Sequence, residues 1–218
     1  MLWFQTFTGR LVDAVHPTPE MVDIEDIAHA LSMTCRFSGH CREFYSVAEH
    51  SVLVEQMGTW LMGCDRHDDV QHSLCLLLHD AAEAYVGDVI TPVKRALDFA
   101  DARPGGLVPC SLKELENRWL SAIAEKFELG DRLTSPTEIM KKTDSRALAV
   151  EVVALFHPVR AEWWGDRERP DPDGGWIVNC WPPAEARRRF LDRFRVLYRE
   201  LHGKIGWEET VLGEEGSR

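Results

Sequence analysis

Three stretches of this sequence put a cation-competent side chain where the local pattern calls for an apolar one. Val47, Val54, Met57 and Leu61 define an apolar stripe at helical spacing, and His50 falls inside it. Met140, Ala147, Leu148 and Leu155 define a second stripe, which also holds Asp144 and Glu151. Leu76-Leu77-Leu78 runs directly into His79-Asp80, and Glu83 lies angularly between those two on a continued helix. A buried carboxylate is costly unless it is paired or coordinates a metal. A single such histidine or acid is most often a hydrogen-bonded core residue; three helices each broken by one point instead to a shared ion. Two imidazoles and two carboxylates (His50, His79, Asp80 and Asp144) form a mixed nitrogen and oxygen set. It suits one divalent cation such as Mn, Co, Fe, Ni, Zn or Mg, with coordination positions left for water and a substrate oxygen.

These residues need helices to carry them. Trp3 to Val12 reads as a short hairpin about Thr8-Gly9-Arg10. Asp23 is an N-cap for a helix expected through Phe37 and stopped by Ser38-Gly39. Ser46 and Glu49 form a capping-box signature that opens a helix to about Cys64. A further helix is predicted from Asp68 or Asp69 through HDAAEAY to Gly87, and a short one begins at Thr91-Pro92. Residues 101–109 read as a loop, followed by helices over 111–127 and 136–156. The Pro, Gly and Asp-rich stretch 165–175 reads as an exposed excursion. Pro183 opens a last amphipathic helix that ends near His202-Gly203. The expectation is an all-α bundle with an N-terminal hairpin, one domain over 1–203 and an acidic, flexible tail over 204–218.

Bulk composition narrows the chemistry. Of 218 residues, 44% are hydrophobic and 28% charged, a globular balance. A formal net charge of -11 argues against nucleic acid polymers as partners. No apolar run matches a membrane span, and MLWFQTFTGRLVD lacks the layout of a secretory signal. Six cysteines show no CxxC spacing, so a reducing, cytoplasmic setting is expected. Arg187, Arg188, Arg189 and Arg193 read as a solvated helix face, and Trp163, Trp164 and Trp176 as core or interface anchors.

The order His50, His79-Asp80, Asp144 resembles the H…HD…D signature of HD-domain phosphohydrolases. Cys35-Arg36-Phe37, VAEHS at 47–51, HDAAEAYVGDVITPVK at 79–94 and KKTD at 141–144 make it similar to the bacterial HD-domain 5′-deoxynucleotidases. The resemblance implies an HD-domain helical bundle with His50, His79, Asp80 and Asp144 on the metal. It implies Glu83 as catalytic acid beside Asp80, Asp88 on a sugar hydroxyl, and Val89, Ile90 and Thr91 lining the pocket. Arg36 would hold the nucleotide, with Lys94 as a further counter-charge. Phe37 stands where such relatives usually carry Trp, so stacking is implied but an indole N–H contact is not. The implied reaction is hydrolysis of deoxynucleoside 5′-monophosphates. The alternatives are a deoxynucleoside triphosphate hydrolase and a non-catalytic nucleotide sensor. The resemblance and eight tryptophans suggest a homodimer or larger homo-oligomer.

Overall fold

The computed structural model of the chain describes residues 2–63, 67–101, 111–159, 161–164 and 175–203. Of the predicted loop over 101–109, Asp101 is instead the last residue of a helix that begins at Thr91, and the rest, with most of the 165–175 excursion, the 204–218 tail, Cys64 and Cys110, lies outside the described residues. The fold is all-α apart from the predicted hairpin. β1 (Trp3–Gln5) pairs antiparallel with β2 (Leu11–Asp13). Asp26 fastens the hairpin tip to the helices by accepting from the Thr8 N–H at 2.7 Å and the Thr8 hydroxyl at 2.8 Å.

The helices are α1 (Ile24–Met33), α2 (Val47–Met62), α3 (His67–Leu78), α4 (Glu83–Val86), α5 (Thr91–Asp101), α6 (Leu112–Lys126), α7 (Glu138–Leu155), α8 (Ala161–Trp164) and α9 (Pro183–His202). Asp23, Ser46, Ser111 and Thr137 each accept a backbone N–H in the first turn of α1, α2, α6 and α7. Helix α2 is central and packs on α3, α7 and α9, while α1 packs on α9, α4 and α2. Leu76, Leu77 and Leu78 are fully buried, each worth roughly 1.5–3 kcal/mol on leaving water. Gly58 brings α2 and α3 close together, since a Cβ there would collide with the Leu76 side chain.

Two predicted helices are shorter than expected. Helix α1 stops at Met33, not Phe37. Thr34 turns extended, its hydroxyl takes the Ala30 carbonyl, and Cys35 and Ser46 form a bridge. Residues 36–39 then make a short 3-10 turn with Phe37 and Ser38 in the left-handed region, at φ 58° and 52°. Non-glycine residues pay about 1–2 kcal/mol each to sit there, and such strain concentrates at functional sites. The predicted helix to Gly87 also breaks after Leu78. Ala81 N–H bonds the Leu78 carbonyl and Glu83 N–H the Asp80 carbonyl, a tighter three-residue winding. His79 and Asp80 therefore sit in a turn, not on a helix face with Glu83.

Helix α9 modifies the reading of its arginines. Arg188 and Arg189 pair with Glu185 on the exposed face, as expected. Arg193 instead grips the buried Glu55 of α2 with two bonds of 2.7 Å, and Arg187 reaches Glu25 of α1 at 2.6 Å. Glu49 does not close its capping box. Its carboxylate accepts the backbone N–H groups of Asn179, Cys180 and Trp181 at 2.6–3.0 Å, tying down the strap that leads into α9. Trp164 is buried against Ala149 and Val152, and Trp176 packs edge-on to Trp60.

Candidate metal centre

Each candidate ligand is delivered by a different local device. The Ser46 cap fixes the start of α2, and His50 follows one turn later, fully buried toward α7. The turn after α3 supplies His79 and Asp80, and the His79 ring is fixed by Nδ1 donating to the Leu76 carbonyl at 2.8 Å. Helix α7 supplies Asp144 from its second turn and Glu151 two turns later on the same side.

These side chains converge. His50, His79 and Asp80 form a cluster whose ligand atoms could hold a metal ion. His50 Nε2 lies 3.2 Å from His79 Nε2, and Asp80 Oδ2 lies 3.4 Å and 3.3 Å from the two nitrogens. Asp144 Oδ1 joins from the third side, 3.3 Å from His50 Nε2 and 3.9 Å from His79 Nε2.

The hydrogen bonds behind the rings decide what these atoms offer. A carbonyl only accepts, so His79 Nδ1 carries the proton and Nε2 presents a lone pair. His50 Nδ1 lies 2.6 Å from Glu151 Oε1 and donates to it, so the neutral ring presents Nε2 in the same way. Two imidazole nitrogens and two carboxylate oxygens thus face one another, with Arg36 Nη1 reaching Asp80 Oδ2 from the side at 3.3 Å. Such a nitrogen and oxygen set could hold a divalent cation.

The electrostatics agree. Burial would raise Asp80, but His79 and His50 hold its carboxyl well below the usual range. Asp144 is lowered too, because contacts with His50 and His79 outweigh its burial. Burial and Arg36 both oppose a charge on His50, yet Glu151, Asp144 and Asp80 prevail and raise it well above its ordinary value. Absent a cation, the cluster attracts a proton.

The cluster opens into a cleft of about 410 Å³, within the usual range for small-molecule sites. Every predicted substrate residue lines it: Arg36, Phe37, Asp88, Val89, Ile90, Thr91 and Lys94, together with Asp80, Glu83 and Asp144. Glu83 is buried, and its Oε2, like Asp88 Oδ2, has no hydrogen-bond partner among the described residues. Burial, reinforced by the charges of Asp80 and Asp88, pushes the Glu83 carboxyl well above the usual range. Lys94 stands between Glu83 (3.5 Å) and Glu116 (2.8 Å), so it is an internal cation of the cleft, not an ordinary surface lysine. Arg36 bridges Asp80 and Glu151 at 3.3 Å each, and these acids keep its guanidinium charged despite burial.

Some of the site escaped the sequence reading. Glu151 stood out as an acid on an apolar stripe, but nothing in the pattern named His50, Arg36 and Tyr45 as its partners. Phe156, Val159 and Trp163 form an apolar wall of the cleft. Trp163 is therefore a cleft residue as well as an anchor stacked edge-on to Trp164. Its one local signal was the aromatic pair beyond the end of α7.

No protein-family model matches the chain. It is 35% identical over 206 residues to RCAP_rcc00048 of Rhodobacter capsulatus, covering 92% of this chain and 98% of that one. It is 31% identical over 201 residues to YfdR of Escherichia coli, covering 90% and 96%. With such identity across nearly the full length of each, the chain belongs to the same protein family as RCAP_rcc00048 and YfdR.

Proposed function

We propose that this chain is a metal-dependent phosphohydrolase of the HD-domain type that converts deoxynucleoside 5′-monophosphates to deoxynucleosides and phosphate. The observation that carries the reading is the cluster of His50, His79 and Asp80, with Asp144 Oδ1 3.3 Å from His50 Nε2, beside a cleft that Asp80 and Asp144 line. When bound there, a divalent cation would supply Lewis acidity toward a phosphoryl oxygen and make water easier to deprotonate.

The chain's own residues complete the reaction. Asp80 accepts a proton from the attacking water through its carboxylate. Glu83, whose carboxyl is pushed above the usual range by burial and by its acidic neighbours, gives its proton to the departing 5′ oxygen. Arg36 and Lys94 offset phosphate charge in a protein whose overall charge would repel it. Asp88 has an unpartnered acceptor oxygen suited to a sugar hydroxyl. The apolar wall of Phe37, Phe156 and Trp163 suits a nucleobase.

A panel of nucleotides incubated with Mn, Co or Mg, assayed for both phosphate and triphosphate, tests this reading. Phosphate from deoxynucleoside monophosphates is the expected result. Triphosphate from a deoxynucleoside triphosphate would favour the triphosphate hydrolase, and tight nucleotide binding without turnover would favour a sensor. Failure of every nucleotide to bind or react would end the proposal.

A further inference from the structure

Glu151 lies outside the four candidate ligands, yet it is the most heavily committed acid in the centre. It is fully buried on α7. Its Oε1 takes the shortest of its contacts, 2.6 Å from His50 Nδ1, and accepts the Tyr45 hydroxyl at 2.9 Å. Its Oε2 faces the Arg36 guanidinium at 3.3 Å, and the same guanidinium reaches Asp80. One carboxylate thus touches the ring behind a candidate ligand and the arginine beside another.

We infer that Glu151 is a positioning residue, which fixes the proton of His50 on Nδ1, aims Nε2 at the cation and anchors Arg36 at the phosphate end of the cleft. Resting on the metal-centre reading above, it adds a residue through which both ends of the site are held. The alternative is that Glu151 only neutralises Arg36 and accepts the Tyr45 hydroxyl within the core. Geometry separates the two, because core neutralisation needs no contact with His50, whereas the closest contact of Glu151 is with that ring. A carboxylate behind a ligating imidazole raises its basicity and locks its orientation, and losing such a partner weakens metal binding by about 10–100-fold.

The test uses the full chain and Mn²⁺ alone as the probe. In Glu151→Gln, Mn²⁺ affinity measured by calorimetry should fall by roughly 10–100-fold. As a control, Glu55→Gln alters an equally buried, arginine-paired acid on the other side of α2. It should lower the unfolding temperature but leave Mn²⁺ affinity within about twofold. Unchanged affinity in Glu151→Gln, or an equal loss in both variants, overturns the inference.

A second measurement needs no variant that might fail to fold. In wild-type protein with ¹⁵N-labelled histidine and no metal, His50 should show a slowly exchanging, downfield Nδ1 proton. Its absence also overturns the inference. If the wild type takes up no Mn²⁺, the metal-centre reading itself fails and takes this inference with it. If the wild type binds and Glu151→Gln binds equally well, only the role of Glu151 is lost.

Discussion

The two sides of helix α2 bury similar polar groups and treat them in opposite ways. Toward α9, every acid is matched by donors. Glu55 receives Arg193 and the Thr59 hydroxyl, and Glu49 receives three backbone N–H groups from the strap before α9. Toward α7 and the turn after α3, His50 Nε2 meets His79, Asp80 and Asp144, all of them acceptors. The first side is closed on itself, while on the second Arg36 and Tyr45 serve Glu151 and part of Asp80, and the ligand-competent atoms are left facing one another and an open cleft. That contrast within one helix is what marks the second side as a candidate binding centre.

Removing a ligand should break the contrast most severely. Asp80→Ala is expected to abolish both Mn²⁺ binding and phosphate release while circular dichroism still reports a folded helical protein. Retained hydrolysis would contradict the proposed centre. Next comes Glu83→Ala, which should keep Mn²⁺ affinity yet lower turnover by about 10²–10⁴-fold, a size expected of general acid help. Near-normal turnover would remove Glu83 from the mechanism.

The closed side should respond in stability, not in activity. Arg193→Met leaves Glu55 without its guanidinium and should cost about 3 kcal/mol. That is the low end for breaking a buried pair, because the arginine side chain is 31% exposed. Denaturant melts would measure the loss, and Mn²⁺ affinity should not change. Conversely, Mn²⁺ at about 100 times its Kd should stabilise the wild type by about 2.7 kcal/mol but leave Asp80→Ala unmoved in a thermal scan.

The smallest effect concerns pH. Burial, with Asp80 and Asp88 nearby, raises Glu83, so the folded state favours its protonated form. Its contribution is complete below the ordinary carboxylate range and is lost as pH rises through the elevated value. Glu83→Gln cannot ionise, so its unfolding temperature should decline less than that of the wild type toward alkaline pH. Parallel curves by scanning calorimetry would argue against the raised value.

Much of this was legible in the sequence because it follows helical periodicity. The hairpin, the caps at Asp23 and Ser46, and the apolar stripes interrupted by His50 and Asp144 all appear where local pattern places them. What could not be read depends on partners far along the chain. Glu49 matched a capping box, yet its acceptors serve N–H groups 130 residues away. The break after Leu78 was hidden because Ala81 and Ala82 continue the apolar pattern, while the His79 ring takes the Leu76 carbonyl. The end of α1 was misplaced because Cys35 and Ser46 pair as a bridge, a choice no helical propensity records.

The close approach at Gly58 has a consequence for the cation seat. Leu76, the residue Gly58 makes room for, also lends its carbonyl to the His79 ring. A methyl group at position 58 would land on the Leu76 side chain, so that side chain must give way inside a fully buried contact at the end of α3 that carries the His79 turn. The packing beneath the His79 turn thus depends on a missing carbon roughly two helical turns from His50 on the same helix.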